Sequence, residues 1–277
     1  MRHHLFDFII GSSLFVSLTM SLVGLAIERA CPAERDQPSR NITLNLCYSI
    51  IQGSIAYALT PLASGLAIIA VNALGGGLFL LPSVGWGIVW AIPLYLLTVD
   101  LSEYLFHRAQ HTSRFLWSMH SLHHSDQSLN ITTTTRHFWI ESGLKALFVY
   151  PLVGLLFRPS TIVITAYTVA TYWNFVVHMN VRLSFGRFWF LLNSPHYHRI
   201  HHGASQVYAN RNFVGLFPIY DILLGTQYRP KKGEYPATGL DGGDAPRSIF
   251  EAVLWPVNRY LQFGRVPSRQ ARLPTNL

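Results

Sequence analysis

Residues 42–99 read ITLNLCYSIIQGSIAYALTPLASGLAIIAVNALGGGLFLLPSVGWGIVWAIPLYLLTV, without a single Asp, Glu, Lys or Arg. As one continuous helix this stretch would be about 87 Å long, against a bilayer hydrocarbon core of roughly 30 Å. It must therefore turn. Pro61, Gly75-Gly76-Gly77, Pro82, Gly85 and Gly87 supply the punctuation, and the turn is expected between residues 72 and 85. Two membrane spans result, the first bent at Pro61.

Working outward, an earlier apolar segment covers residues 5–27, is interrupted only by Asp7 and ends at Glu28-Arg29. It is long for the core of a signal peptide and precedes no small-x-small cleavage pattern, so it is read as a retained helix. Two shorter apolar segments, residues 143–157 and 160–177, flank Arg158-Pro159 and predict a helical hairpin. The expected fold is all-α: an integral-membrane helical bundle of about five spans with a cytosolic, histidine-rich helical cap. Composition agrees, with 50% hydrophobic and 12% charged residues and a positive mean hydropathy, whereas ordinary soluble domains are about 25% charged. The expected organisation is an N-terminal transmembrane region (1–83), a catalytic domain (84–231) and a basic cytosolic tail (232–277) carrying an interfacial helix broken near Pro256.

Five spans place the termini on opposite sides. With the N-terminus outside, the inner segments 28–40, 107–145 and 178–277 hold 3, 4 and 12 of the 21 Lys and Arg residues. That asymmetry satisfies the positive-inside rule, and the net charge of +8 reads as a cytoplasmic face lying on anionic lipid. Nucleic-acid binding is set aside, because the basic residues follow this topology and form no dense patch. Cys31 and Cys47 are too few for a disulfide framework or a thiolate metal site.

The chemistry lies in the 13 histidines. His107-Arg-Ala-Gln-His111 ends the third span, His120-Ser-Leu-His123-His124 follows closely, and His198-Arg-Ile-His201-His202 comes after the last span. Residues at i, i+3 and i+4 share a helix face, so each cluster can aim two or three imidazoles at one point. His178, at the end of the fifth span, falls at the same depth. Eight clustered imidazoles exceed what one tetrahedral ion uses, so two metals are the natural count. His3 and His4 are read as non-functional, and His137 and His196 stand between ligand and supporting roles. Asp100, Glu103 and His107 share a helix face, which suits carboxylates that orient imidazoles, or alternatively ones that pair with Arg108 or other basic residues at the membrane edge.

The order HxxxH, then Trp117-x-x-His120-x-x-His123-His124, then Pro195-x-x-His198-x-x-His201-His202 resembles the fatty acid hydroxylase and sterol desaturase superfamily. So do Asp100-x-x-x-Tyr104-x-x-His107-Arg108, Trp173-Asn174-Phe175-x-x-His178, Asn212-Phe213 and Tyr220-Asp221-x-x-x-Gly225-Thr226. The likeness covers residues 84–226, and around residues 130–136 and 194–203 it looks like the alkylglycerol monooxygenase branch. The resemblance implies a helical membrane enzyme with a cytosol-facing di-iron centre, O2 as oxidant and a hydrophobic substrate. It implies His107, His111, His120, His123, His124, His198, His201 and His202 as metal ligands and catalytic residues, with His178 as a ninth. One departure matters: many relatives have His-Pro after the arginine corresponding to Arg136, whereas here His137 is followed by Phe138, which puts a ligand role for His137 in doubt.

Independently, unactivated C–H bonds in lipid call for a redox metal, and zinc has no redox chemistry. The chain shows no flavin, nicotinamide or haem fingerprint, so electrons imply a separate ferredoxin, cytochrome b5-like protein or reductase. Two other classes stay in view. A membrane zinc hydrolase would work without O2 but needs a general base that no HExxH supplies. A metal transporter would carry its ligands near the bilayer midplane. Hydroxylation, desaturation and ether cleavage are all open, as are sterol, fatty acyl lipid, carotenoid and glyceryl ether substrates.

Overall fold

The computed structural model describes residues 2–263, with side chains described from residue 14 to residue 260. Helix α1 (Arg2–Ala30) leads into α2 (Ser39–Ala73), a loop holding β1 (Phe79–Leu80), then α3 (Gly87–Thr112) and α4 (Arg114–His124). After a 3₁₀ turn at Ile131–Thr135 come α5 (Glu141–Leu156), β2 (Phe157–Arg158), α6 (Thr161–Thr171) and α7 (Trp173–Val177). The chain then forms α8 (Pro195–His201), α9 (Ile219–Leu223), α10 (Ile249–Val253) and α11 (Trp255–Phe263), with 3₁₀ turns at Gly186–Phe188 and Gln206–Tyr208. It is mostly helical, as expected; the first expected segment falls within α1, and His3 and His4 lie outside the described side chains.

The long uncharged stretch turns where its glycines allow. Helix α2 runs through Pro61 to Ala73, and Gly75 and Gly77 then take φ of 68° and 78°, values that L side chains resist. A Cβ on Gly76 would meet the α5 backbone at Leu155, 3.0 Å away, so glycine also permits close approach. The crossing is stitched by a two-residue parallel pairing, Phe79 opposite Phe157 and Leu80 opposite Arg158. This anchors the α2–α3 turn to the expected hairpin at Arg158-Pro159.

Among the described residues, α2 and α3 are long and apolar enough to cross a membrane, and Thr161–Val177 is a shorter apolar helix. Only 11% of the most apolar α2 window is buried, unlike the core helix of a soluble protein. Leu62, Leu66, Ile69, Leu80, Val84 and Trp86 are all exposed. Facing water, such a surface would cost about 25 cal/mol for every Å², and lipid is the solvent it fits.

Packing divides by depth. On the apolar side, Tyr95, Val99, Val149, Val153, Phe157 and Val163 join α3, α5 and α6. At the other end, buried polar pairs hold the loops around α4 and α8. Glu28 accepts N–H bonds from Ile131 and Asn180, both 2.8 Å, fixing α1 to two loops. Arg136 lies 3.6 Å from Asp126 and donates to Asn45 and Ser125. The tail helix breaks at Leu254 rather than at Pro256, which sits in the first turn of α11, where its missing N–H costs nothing. It docks on α4, where Trp255 Nε1–H donates to Ser121 Oγ at 2.9 Å, while Phe250, Val257 and Tyr260 stay exposed.

Candidate metal centre

Local sequence fixes how each histidine is presented. Helix α3 carries His107 and His111 at its end, and Ser113 immediately starts α4 by accepting the Leu116 N–H, which swings His120, His123 and His124 back toward α3. Ser194 caps α8 by accepting the Tyr197 N–H, and Pro195 occupies the first turn, where proline suits a helix. His178 is the C-terminal cap of α7.

Nine imidazoles converge as two adjoining sets. His107, His111, His120, His124 and His201 form one; His123, His178, His198 and His202 form the other; within each, one ring nitrogen per residue lies within 4.8 Å of all its fellows. These are all nine expected positions. The helices do not deliver each cluster to a single point, as its spacing suggests. Helix α4 gives its i, i+4 pair, His120 and His124, to the first set and His123 to the second. The α8 segment does the reverse, giving His198 and His202 to the second set and His201 to the first. The split is reciprocal, and His124 and His202 stack across the boundary with centroids 4.4 Å apart.

Three of the outward ring nitrogens are anchored by backbone carbonyls, whereas the Nδ1 atoms of His123, His198 and His202 are buried without a protein partner. His107 Nδ1–H donates to the Phe213 carbonyl (2.7 Å), His201 Nδ1–H to that of Arg211 (2.8 Å) and His178 Nδ1–H to that of Asn174 (2.6 Å). A carbonyl only accepts, so the proton sits on Nδ1 and the Nε2 lone pair points inward. Inside, Nε2 atoms face one another at 3.0 Å for His107–His120 and 3.1 Å for His111–His124, His123–His178 and His178–His198. The Nε2 atoms of His201 and His202 are buried without a protein partner. Converging, unsatisfied lone pairs are the arrangement a cation resolves, so the residues present fit two metal ions.

Burial, followed for most of them by repulsion from neighbouring imidazoles, lowers the pKa of His120, His123, His124, His198 and His202. Burial likewise takes His178 down to about 4 and His201 to about 3. The rings are neutral at pH 7, as metal ligation requires. Because these pKa values lie below the unfolded value, the unfolded chain binds more protons in acid, and the folded state loses stability as pH falls. Metal-free protein is expected to hold its unfolding temperature above pH 6.5 and lose it progressively toward pH 4, which thermal unfolding in detergent would read.

Glu141, which the sequence did not single out, is the carboxylate at the centre. Its Oε2 accepts from Gln110 Nε2–H (2.7 Å) and His120 Nδ1–H (3.0 Å), and lies 3.4 Å from His137 Nδ1. Burial raises its pKa, but the bonds from His120 and His137 outweigh this and hold it below the usual carboxylate range. An available signal was its place as the lone acid opening an apolar segment, four residues after His137. His137 belongs to neither set; it stacks on His123 with centroids 4.1 Å apart. His196 Nε2 bonds the Glu234 carbonyl, away from the centre.

The other acids act at a distance. Asp100 touches no imidazole; it accepts the Leu216 and Phe217 N–H groups at 2.9 and 2.8 Å. Asp221 accepts from Tyr197, Phe213, Val214 and Thr226, and Asn212, at φ 56°, donates to the Tyr197 and Tyr228 carbonyls. Together they clamp the segment whose Arg211 and Phe213 carbonyls orient His201 and His107. Glu103 meets a basic residue, Lys145, at 2.8 Å, and Arg199 pairs with Glu34 at 2.6 Å. A cavity of about 400 Å³ reaches the centre between α3, α5 and α6, ending at His107, His120, His123, His178 and His198.

Residues 92–226 match the model of the fatty acid hydroxylase family. The match spans just under half of the chain and contains all nine histidines. Similar proteins include the alkylglycerol monooxygenases of Homo sapiens, 31% identical over 54% of this chain and 32% of that protein, and of Caenorhabditis elegans, 28% identical over 56% and 30%. An ornithine lipid hydroxylase of Rhizobium tropici is 30% identical over 57% of this chain and 47% of its own length. The matched region thus spans about a third of the monooxygenases and under half of the hydroxylase. No solved structure matches the chain.

Proposed function

We propose that this chain is a membrane-embedded oxygenase that uses O2 and two iron ions to hydroxylate or desaturate a lipid. The observation that carries this reading is the pair of adjoining imidazole sets, nine neutral ligands with inward lone pairs beside a cavity. His107, His111, His120, His124 and His201 would hold one ion, and His123, His178, His198 and His202 the other. Iron there would supply the one-electron and O2 chemistry that an unactivated C–H bond requires.

The chain's own residues do the rest. Backbone carbonyls of Asn174, Arg211 and Phe213 keep three rings aimed inward. Glu141 adds the negative charge that an all-imidazole set lacks and steers His120. Apolar helices bring the lipid to the cavity mouth. The relatives, alkylglycerol monooxygenases and an ornithine lipid hydroxylase, favour oxygen insertion into a polar lipid over desaturation. Electrons would come from a separate carrier protein. Supporting the five-span arrangement with its centre on the cytoplasmic face is the distribution of basic residues. Within it, 84–231 would be the catalytic domain, flanked by a transmembrane region (1–83) and a basic tail (232–277).

The test is a lipid profile of cells with and without the protein, grown with and without O2. The expected result is a lipid gaining one oxygen, or losing two hydrogens, only in the aerobic, expressing cells. A lipid change that persists without O2, from protein loaded with zinc, would overturn the oxygenase in favour of a hydrolase.

A further inference from the structure

Beyond the histidines, the cavity is lined by Glu103 of α3 and Lys145 of α5, charged residues set in apolar helices. Lys145 Nζ lies 2.8 Å from Glu103 Oε1, and Tyr167 Oη–H donates to the same oxygen at 2.8 Å. Charge at membrane depth is costly, and a buried ion pair gains little over apolar packing, so a pair kept there points to function. Neither partner is sealed: Lys145 retains 38% of its side-chain accessibility and Glu103 15%, along the cavity wall. One bond to Glu103 leaves the ammonium further N–H groups to offer.

Position sets what the pair can reach. Glu103 precedes His107 by four residues on α3, and Lys145 follows Glu141 by four on α5, so each charge sits about 6 Å along its helix from the histidine end. Gln52, Ser142 and Tyr150 line the same space. Gln52 donates to Ser142 at 3.3 Å, but a passage for bare hydrocarbon would leave the remaining hydrogen-bonding capacity of these groups desolvated and unmet, which is expensive.

Resting on the lipid oxygenase reading, we propose that Glu103, Lys145 and Tyr167 form a polar subsite that holds a neutral, hydrogen-bonding group of the lipid and presents a carbon only a few bonds from it to the histidines. The pair is neutral as a whole. An anionic group would meet Glu103 and a cationic one Lys145, each at like-charge cost, whereas a hydroxyl can donate to the carboxylate and accept from the ammonium. The substrate class is therefore a lipid oxidised beside a neutral polar group, not at mid-chain.

The test uses the full chain in detergent micelles and four ligands that share a hexadecyl chain: hexadecan-1-ol, hexadecanoate, hexadecyltrimethylammonium and hexadecane. Each competes against tritiated hexadecan-1-ol. The alcohol is expected to bind at least about tenfold more tightly than the other three. Glu103→Gln should shift preference to hexadecanoate and Lys145→Met to the ammonium, whereas a merely structural role would weaken all four together. Equal binding of the four by the unaltered protein, or an order unchanged by both substitutions, would overturn the subsite. The unaltered protein's ligand order decides the matter even if a variant does not fold. Binding is read without turnover, so a retained order in protein that never oxidises lipid would count against the oxygenase and not against the subsite.

Discussion

Replacing His198 with alanine is expected to empty one metal position and cut O2-dependent turnover by more than about 100-fold, beyond what loss of an outer-shell partner costs. His198 belongs to the four-histidine set, so its loss leaves three ligands, whereas the five-histidine set keeps its full complement. Metal content should accordingly fall by half and not to zero, an outcome readable by elemental analysis of the purified variant. His137→Ala is the matched control. His137 belongs to neither the five-histidine nor the four-histidine set; it stacks on His123 and touches Glu141 from outside them, so that variant should keep both metals and lose less than about tenfold in rate. Equal damage from the two substitutions would mean that the ligand set has been drawn wrongly.

Replacing Glu141 with alanine is expected to weaken metal retention by about 10–100-fold, measured by competition with a chelator, although Glu141 belongs to neither histidine set. Without it, the Nδ1–H of His120 and the amide of Gln110 lose a buried acceptor, and a carboxylate touching the imidazoles disappears. Glu141→Gln separates the two effects. The amide oxygen can still accept from His120, so the ring keeps its orientation, while the negative charge is gone. Retention intermediate between wild type and alanine would assign part of the role to charge; retention equal to wild type would assign it all to orientation.

Much of this centre was legible in sequence, because helical spacing is local. An uncharged run too long for one crossing fixed the α2–α3 turn, and i, i+3, i+4 spacing marked the three histidine clusters. What spacing could not reveal was how α4 and α8 each give their middle histidine to the other's set, since that depends on how two segments distant in sequence are placed against each other. Glu141 was missed for a related reason: its partners His120 and Gln110 lie 21 and 31 residues away, and no periodicity connects them. Asp100 was placed on the correct helix face but given the wrong partner. The segment after α8 returns across α3 and offers two peptide N–H groups there, whose need for an acceptor claims the carboxylate. For Glu103 a basic partner was foreseen, but not which one: Lys145 comes from a helix that its own sequence neighbourhood does not contain.

Elemental analysis of detergent-purified protein, expressed with controlled iron and zinc supply, bears most directly on the central claim that nine histidines hold two irons. About two irons per chain, with neither replaced when zinc is offered at equal concentration, is the predicted result. One metal per chain, or zinc retained in preference while O2-dependent lipid oxidation is absent, would contradict it.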